Sequence, residues 1–354
     1  MNRKWCALGL IGWMWIWLVG CTPKAGNIRV VCVRDEVGNY ILKWETDPKL
    51  KGQVQVYASA TPENFDMSVP ALSAKIEDGV TTFITNDNLK RLYFRLIFDG
   101  EYQYDVSARY SFMDNIQNFR DLGGYYTSKG KQMKWGMIYR SGSIERFDVR
   151  DSVRLSSIGI RTILDLRSKK EVEAAPISFA KANVVRVSIS DGDRDALMER
   201  LQANTLRKQD GILYMEDKYL QFVTQDYDVF GEALHLFLDE ANYPILIQDD
   251  LGKDRTGFLS SLLLTLLDVP RESVMQDYLA SNRYIDVGFF AKDACSMSLD
   301  AQETITVLLS AKESFLDIAY QEIDRKYDSF QEYTEKELHF SSQDQAQLRE
   351  ILLK

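Results

Sequence analysis

The stretch Tyr243-Pro244-Ile245-Leu246-Ile247-Gln248-Asp249-Asp250-Leu251-Gly252-Lys253-Asp254-Arg255-Thr256-Gly257 decides the fold. It reads as strand, tight loop, helix. Ile245 to Ile247 is a short apolar run after Pro244, the pattern of a buried strand. Gly252 and Gly257 permit unusual dihedrals and close backbone approach. Phe258 to Leu267 begins a strongly apolar helix. A loop of this kind turns several backbone N–H groups into one concavity at a helix N-terminus, which suits a phosphate. Arg255 can clamp that anion with two parallel hydrogen bonds.

Working outward, the chain after Asp114 alternates strands and helices. Arg150 to Ile158 has helical periodicity, Thr162 to Ser168 is a buried strand running into a charged turn, and Val184 to Ile189 is a strand. Residues 191–226 look irregular and charged, with helical character near Tyr214 to Val223. Phe230 to Leu238 is a helix, Thr304 to Tyr327 suits one long amphipathic helix, and Asp344 to Leu353 another, capped by Ser341 and Ser342. The alternation implies a mainly parallel sheet flanked by helices.

These residues resemble the bacterial tyrosine/serine branch of the cysteine-dependent protein tyrosine phosphatases. That family's phosphate loop reads His-Cys-x-x-Gly-Lys-Asp-Arg-Thr-Gly, and Gly252 to Gly257 matches its last six positions. Asn118-Phe119-Arg120-Asp121-Leu122-Gly123-Gly124-Tyr125, then Trp135-Gly136, Tyr139-Arg140-Ser141-Gly142 and Asp277 to Asn282 follow as in the family. The resemblance covers about residues 114–353. Two departures are specific. The family's His falls on Gln248, and its nucleophilic Cys falls on Asp249.

The resemblance implies an α/β tyrosine-phosphatase-like domain acting without cofactor or metal. The implied catalytic positions are Asp249 (the substituted nucleophile), Arg255, and the candidate general acids Asp165 and Asp254. The implied phosphate-binding residues are Asp250, Leu251, Gly252, Lys253, Asp254, Arg255 and Thr256, with Lys253 facing solvent or phosphate. Ligands would be a phosphorylated protein or a small phosphoester. In the family a thiolate attacks phosphorus and an Asp protonates the leaving oxygen; Asp249 is the poorer nucleophile. Loop amides and Arg255 are expected to keep Asp249 ionised, so that it repels a phosphate dianion. Three readings follow: a pseudophosphatase that binds a ligand, a working phosphatase in which Asp249 attacks or activates water, and an interaction protein in which the loop is a buried relic and the β-rich module of residues 27–110 binds a partner. Asp165 has a structural alternative as partner to Arg167 or Arg140.

Composition bounds the rest. At 354 residues two domains are expected, and the hydrophobic content of 45% allows a sizeable core. Net charge is −9 with no basic tract, which argues against nucleic acid. The four cysteines, Cys6, Cys21, Cys32 and Cys295, make neither a disulfide framework nor a metal pattern. His235 and His339 occupy no motif position. Residues 1–20 read as a targeting leader: Arg3 and Lys4, then apolar Trp5 to Gly20. Leu18-Val19-Gly20-Cys21 resembles a lipobox, which implies a lipid on Cys21 and a protein anchored in the cell envelope, at the outer membrane or periplasmic face. Residues 21–26 would be a tether.

Residues 27–110 read as all-β. Ile28 to Val33, Tyr40 to Trp44, Val54 to Tyr57 and Val80 to Ile84 are β-branched or alternating runs. Lys90 to Phe98 and Tyr102 to Tyr110 flank Asp99-Gly100-Glu101, a hairpin signal. About seven short strands suggest a small immunoglobulin- or fibronectin-like sandwich, serving as a spacer or a recognition module. The shift in composition predicts that 27–110 and 114–354 fold separately.

Overall fold

The computed structural model describes residues 27–354 except 36, 88, 112 and 293. The leader, the tether and the lipidation candidate Cys21 lie outside the described residues. Seven strands come first: β1 (Asn27–Arg34), β2 (Tyr40–Asp47), β3 (Gln53–Ser59), β4 (Leu72–Lys75), β5 (Val80–Phe83), β6 (Tyr93–Phe98) and β7 (Tyr102–Ser107). They form two antiparallel sheets, ordered β1-β2-β5 and β4-β3-β6-β7. Every second side chain of β2 is buried, and Tyr40, Leu42 and Trp44 share one core with Val54, Val56 and Phe94 of the other sheet. The hairpin from β6 to β7 turns through Asp99 and Gly100, both at positive φ, a conformation that glycine takes without penalty. β4 was not expected from the sequence; its run Leu-Ser-Ala-Lys lacks the β-branched signal.

The remaining strands are β8 (Arg120–Asp121), β9 (Ile138–Ser141), β10 (Thr162–Asp165), β11 (Asn183–Arg186) and β12 (Ile245–Gln248). Their order is β11-β10-β12-β9-β8, parallel except for the β8-β9 pair. Thus β12 is central. Ile245 and Ile247 pack into one core and Leu246 into the core on the opposite face. A strand covered on both faces has to be a continuous apolar run, which is what this stretch is.

The helices are α1 (Val149–Ile158), α2 (Lys169–Ala174), α3 (Arg194–Gln202), α4 (Lys208–Thr224), α5 (Tyr227–His235), α6 (Arg255–Leu266), α7 (Arg271–Leu279), α8 (Ser281–Tyr284), α9 (Val287–Phe290), α10 (Leu299–Leu309), α11 (Glu313–Lys326), α12 (Phe330–Lys336) and α13 (Ser342–Leu352). Helix α6 is apolar all round because it is buried along almost its whole length. Two sequence expectations are corrected. The irregular segment contains α3, whose apolar residues are too few to stand out. The long helix expected over 304–327 is two, α10 and α11. The break is clamped by Asn282, whose side chain donates to Ala311 O (2.7 Å) and accepts from Ala311 N (2.7 Å).

The all-β part and the α/β part meet across a buried polar seam. Arg91 is 8% exposed and donates to Asp121 Oδ2 at 2.6 Å and Tyr139 Oη at 2.9 Å. Its other nitrogens reach Ser107 Oγ and Ala108 O, both at 3.1 Å. Across the seam, Trp135 Nε1 donates to Asp105 O (3.0 Å), and Lys354 Nζ to Asp105 Oδ2 (2.7 Å). No helix among the described residues is long and apolar enough to cross a membrane.

Candidate functional site

The loop 249–254 leaves the C-terminal end of the central strand and enters α6, at the edge where open α/β sheets place their ligand sites. It is held from behind. Arg140 Nη2 donates to Gly252 O at 2.6 Å, and Asn118 Nδ2 to Gly252 O at 2.9 Å and Leu251 O at 3.1 Å. Ser143 N donates to Asp250 O at 3.0 Å. With these carbonyls pinned outward, the loop's amides turn inward. Gly252 has φ 68°, and a Cβ there would lie 2.3 Å from the Ser141 backbone; only glycine fits.

Arg140 is itself fixed by Asp277, which accepts from Arg140 Nη1 (2.6 Å), Arg120 Nε (3.2 Å) and Tyr125 Oη (3.1 Å). Burial alone would raise the Asp277 carboxyl, but Arg120 and Arg140 drive it far below the ordinary range. The result is a permanently charged brace behind the loop.

Inside the loop sits the Asp249 carboxylate, 1% exposed. One oxygen accepts from the Gly252 amide and the other from the Thr256 amide at 3.1 Å. Arg255 Nε is 3.7 Å away and makes no hydrogen bond. The sequence led us to expect a carboxylate held ionised. Burial pushes the Asp249 carboxyl up, against the pull of Arg255 and the Thr256 amide. Desolvation prevails because the guanidinium is directed elsewhere: Arg255 Nη1 and Nη2 form a two-pronged bond with Glu171 (2.7 and 3.0 Å). That pairing, together with bonds to Ser168, takes Glu171 down to about 2 despite its burial.

The other expected residues are placed as follows. Asp250 pairs with Arg194 (2.8 Å). Lys253 faces neither solvent nor the loop's concavity: it is buried, with Nζ 2.8 Å from Asp254 Oδ1. Asp254 also accepts from Tyr219 Oη (3.1 Å); burial would raise its carboxyl, but Lys253 and Lys218 hold it below the usual range. It is therefore a carboxylate at neutral pH and not a proton donor. Thr256 contributes its amide to Asp249, while its hydroxyl is buried without a partner. Asp165 is not brought to the site: it is fully buried and bonds Arg167 Nε and Nη2, both at 2.9 Å. Gln248 accepts from Ile144 N at 2.8 Å, which locks it behind the loop.

Beside the loop opens a cavity of about 510 Å³. Asp249, Asp250, Asp254 and Arg255 form one side; Lys218 of α4 and Arg194 of α3 flank it; the opposite wall is apolar, built by α3, α9 and α10. Away from it, Asp114, Asp148 and Asp151 each bring an oxygen within 4.8 Å of the others. Those oxygens are already committed. Asp151 accepts from the Asp114 and Asn115 amides, Asp148 from the Asp151 amide, and Arg154 reaches Asp114 at 3.1 Å. Asp249 and Asp250 likewise spend their charge on amides and Arg194.

The model of the tyrosine phosphatase family matches residues 112–354. The chain belongs to that family. A candidate tyrosine-protein phosphatase of Cupriavidus necator is 30% identical over 240 residues, 67% of this chain and 85% of the relative. The triple specificity protein phosphatase PtpB of Mycobacterium tuberculosis is 28% identical over 195 residues, 47% of this chain and 66% of the relative. The catalytic core of the PP-IP phosphatase Siw14 of S. cerevisiae superposes loosely, with 17% identity, TM-score 0.25, 53% of this chain and 88% of that one.

Sequence reasoning missed Glu171 and Lys218. Glu171 carries a readable signal as the third helical residue of a Ser168 capping box, which the structure forms. Nothing in the sequence sets it against Arg255, 84 positions away. Lys218 lies in a helical run without a motif.

Proposed function

We propose that this member of the tyrosine phosphatase family is a pseudophosphatase: it keeps the phosphate loop as a scaffold, does not hydrolyse phosphoesters by the thiol route, and binds a ligand in the adjoining cavity. The observation that carries this is the Asp249 carboxylate, which accepts the loop's own amides from within. The groups that would otherwise stabilise a phosphoryl oxygen are spent on a side chain. Asp254, the acid nearest the loop, is held ionised by two lysines and has no proton to give a leaving group. Release of p-nitrophenol from p-nitrophenyl phosphate, with and without Mg²⁺, tests it. We expect none above an Asp249→Asn control; turnover abolished by that substitution would establish Asp249 as nucleophile or base instead.

The same reading takes the protein as exported and lipid-anchored through Cys21, with the two antiparallel sheets as an immunoglobulin-like spacer. Mass spectrometry of the mature N-terminus checks the anchor: an intact leader or an unmodified Cys21 would sink it.

A further inference from the structure

The cavity beside the loop has a composition that a phosphorylated side chain does not need. Its far wall is a satellite core: Leu197 and Leu201 of α3 pack with Tyr214, Met297, Ile305 and Leu308, and all six face the cavity. Phe289 and Phe290 of α9, both more than a third exposed, extend the wall toward solvent. The volume lies within the roughly 300–1,000 Å³ of small-molecule sites.

The polar side is unbalanced. Arg146, Arg194, Lys218, Arg255 and Lys292 line the cavity against Asp249, Asp250 and Asp254. Arg194 and Arg255 are already paired with Asp250 and Glu171. Lys218 is different. It is only 8% exposed, yet its ammonium makes no hydrogen bond among the described residues, and its nearest carboxylate oxygen, Asp254 Oδ2, is 3.7 Å away. An ammonium with unused donors that opens onto a cavity wall can meet an anion there with charge-assisted hydrogen bonds. The Asp254 charge is meanwhile met by Lys253 at 2.8 Å, which leaves Lys218 available to a ligand.

We propose that the cavity binds a single-chain amphiphilic acid: one anionic group on Lys218, and an apolar chain along the wall formed by α3, α9 and α10. This deepens the binding-protein reading given above and rests on it. The head group need not enter the loop, which Asp249 fills. One negative charge, rather than two, suits a floor that already carries acids. A carboxylate or an alkyl phosphate monoanion meets the same chemistry, so the test separates them.

Titration calorimetry on the full chain, with ligands below their micelle concentrations, compares decanoate, decyl phosphate, decanol and inorganic phosphate. At least one of the two acids is expected to bind ten-fold or more tightly than decanol and inorganic phosphate, and the tighter acid names the head group. Shortening that acid by two methylenes should weaken binding roughly fifteen-fold, at about 0.8 kcal/mol per buried methylene. Lys218→Met should reduce binding to the level of decanol, and Lys218→Arg should keep most of it. Overturning results are no binding by either acid, decanol or inorganic phosphate binding as tightly as the acids, or Lys218→Met without effect while its melting curve shows a folded protein. Release of inorganic phosphate from decyl phosphate, assayed alongside, reports on turnover separately. Hydrolysis would refute the pseudophosphatase reading and leave the cavity assignment standing.

Discussion

Arg91 is the test of whether the two parts of this chain are separable. Its guanidinium enters the α/β part from the all-β part and meets Asp121, which is fully buried. Arg91→Met keeps the aliphatic stem and removes the charge. Asp121 then stays buried with only the amides of Gly123 (2.6 Å) and Gly136 (2.8 Å). Breaking a buried pair from one side costs about 3–5 kcal/mol. The two amides still solvate the carboxylate, so the low end applies, about 3 kcal/mol. The packing of Arg91 over Tyr93 at 4.8 Å and Tyr139 at 5.4 Å is lost as well. At roughly 2–4 °C per kcal/mol for a large domain, the melting temperature should fall by about 6–12 °C. Scanning calorimetry on the full chain reads both size and shape. We expect one cooperative transition in the wild type, moved as a whole by the substitution. Two separated transitions, with only the first moved, would refute the coupling and support the expectation that 27–110 and 114–354 fold separately. A fall below 2 °C would refute the buried-charge argument.

Other outcomes follow from the site. Asp249→Asn should bind inorganic phosphate at least ten-fold more tightly than wild type by calorimetry, because a charge about 4 Å from the anion costs up to about 4 kcal/mol at an effective dielectric of 20; equal or tighter wild-type binding would remove the plug. Since burial raises the Asp249 carboxyl, its contribution to stability is complete below the ordinary carboxylate value and is lost as pH rises through the folded one. Urea unfolding should accordingly show Asp249→Asn gaining on wild type between acid and neutral pH. Glu171 has the opposite sign: its carboxyl is lowered to about 2, so it contributes fully above the unfolded value and is lost as pH falls toward 2. Glu171→Gln should therefore be less stable than wild type at pH 6, by about 3 kcal/mol, and the gap should close in acid. Gly252→Ala, with φ 68° and a Cβ 2.3 Å from the Ser141 backbone, should cost at least about 1–3 kcal/mol in strain; a melting temperature like wild type would mean that the loop can shift.

Much of the α/β part was legible because its signals are local. Pro244 and an apolar triplet announce the central strand, and the glycines of the loop announce its geometry. Ser341, one of the two capping residues expected, is the N-cap of α13, where Asp344 completes a capping box. What was not legible is distant pairing. Lys253 was expected at solvent or phosphate because lysines seldom lie buried. Asp254, which makes its buried position tolerable, is the next residue, and Tyr219, which bonds that carboxylate, comes from a helix more than 30 residues upstream. Asp165 had two readings, and only the contact with Arg167 separates them. The break between α10 and α11 depends on Asn282, one residue on another helix, against a periodicity that runs on through Ser310 and Ala311.

The loop keeps its shape for reasons that do not involve a thiol. Arg140, Asn118 and Ser143 hold its carbonyls from outside; Asp277 holds Arg140, and Arg120 holds Asn118. None of these groups touches the concavity. The inward amides therefore stay in place whatever side chain stands at position 249, and inward amides without an acceptor are expensive, at roughly 1–3 kcal/mol each. A side chain at position 249 that accepts two N–H bonds relieves that cost, and aspartate has the reach and the oxygens to do so. On the pseudophosphatase reading proposed above, the cradle is thus better served by a permanent internal acceptor than by an empty site. The cavity alongside, with Lys218 still lacking a close partner, is where the site retains a reason to meet a ligand.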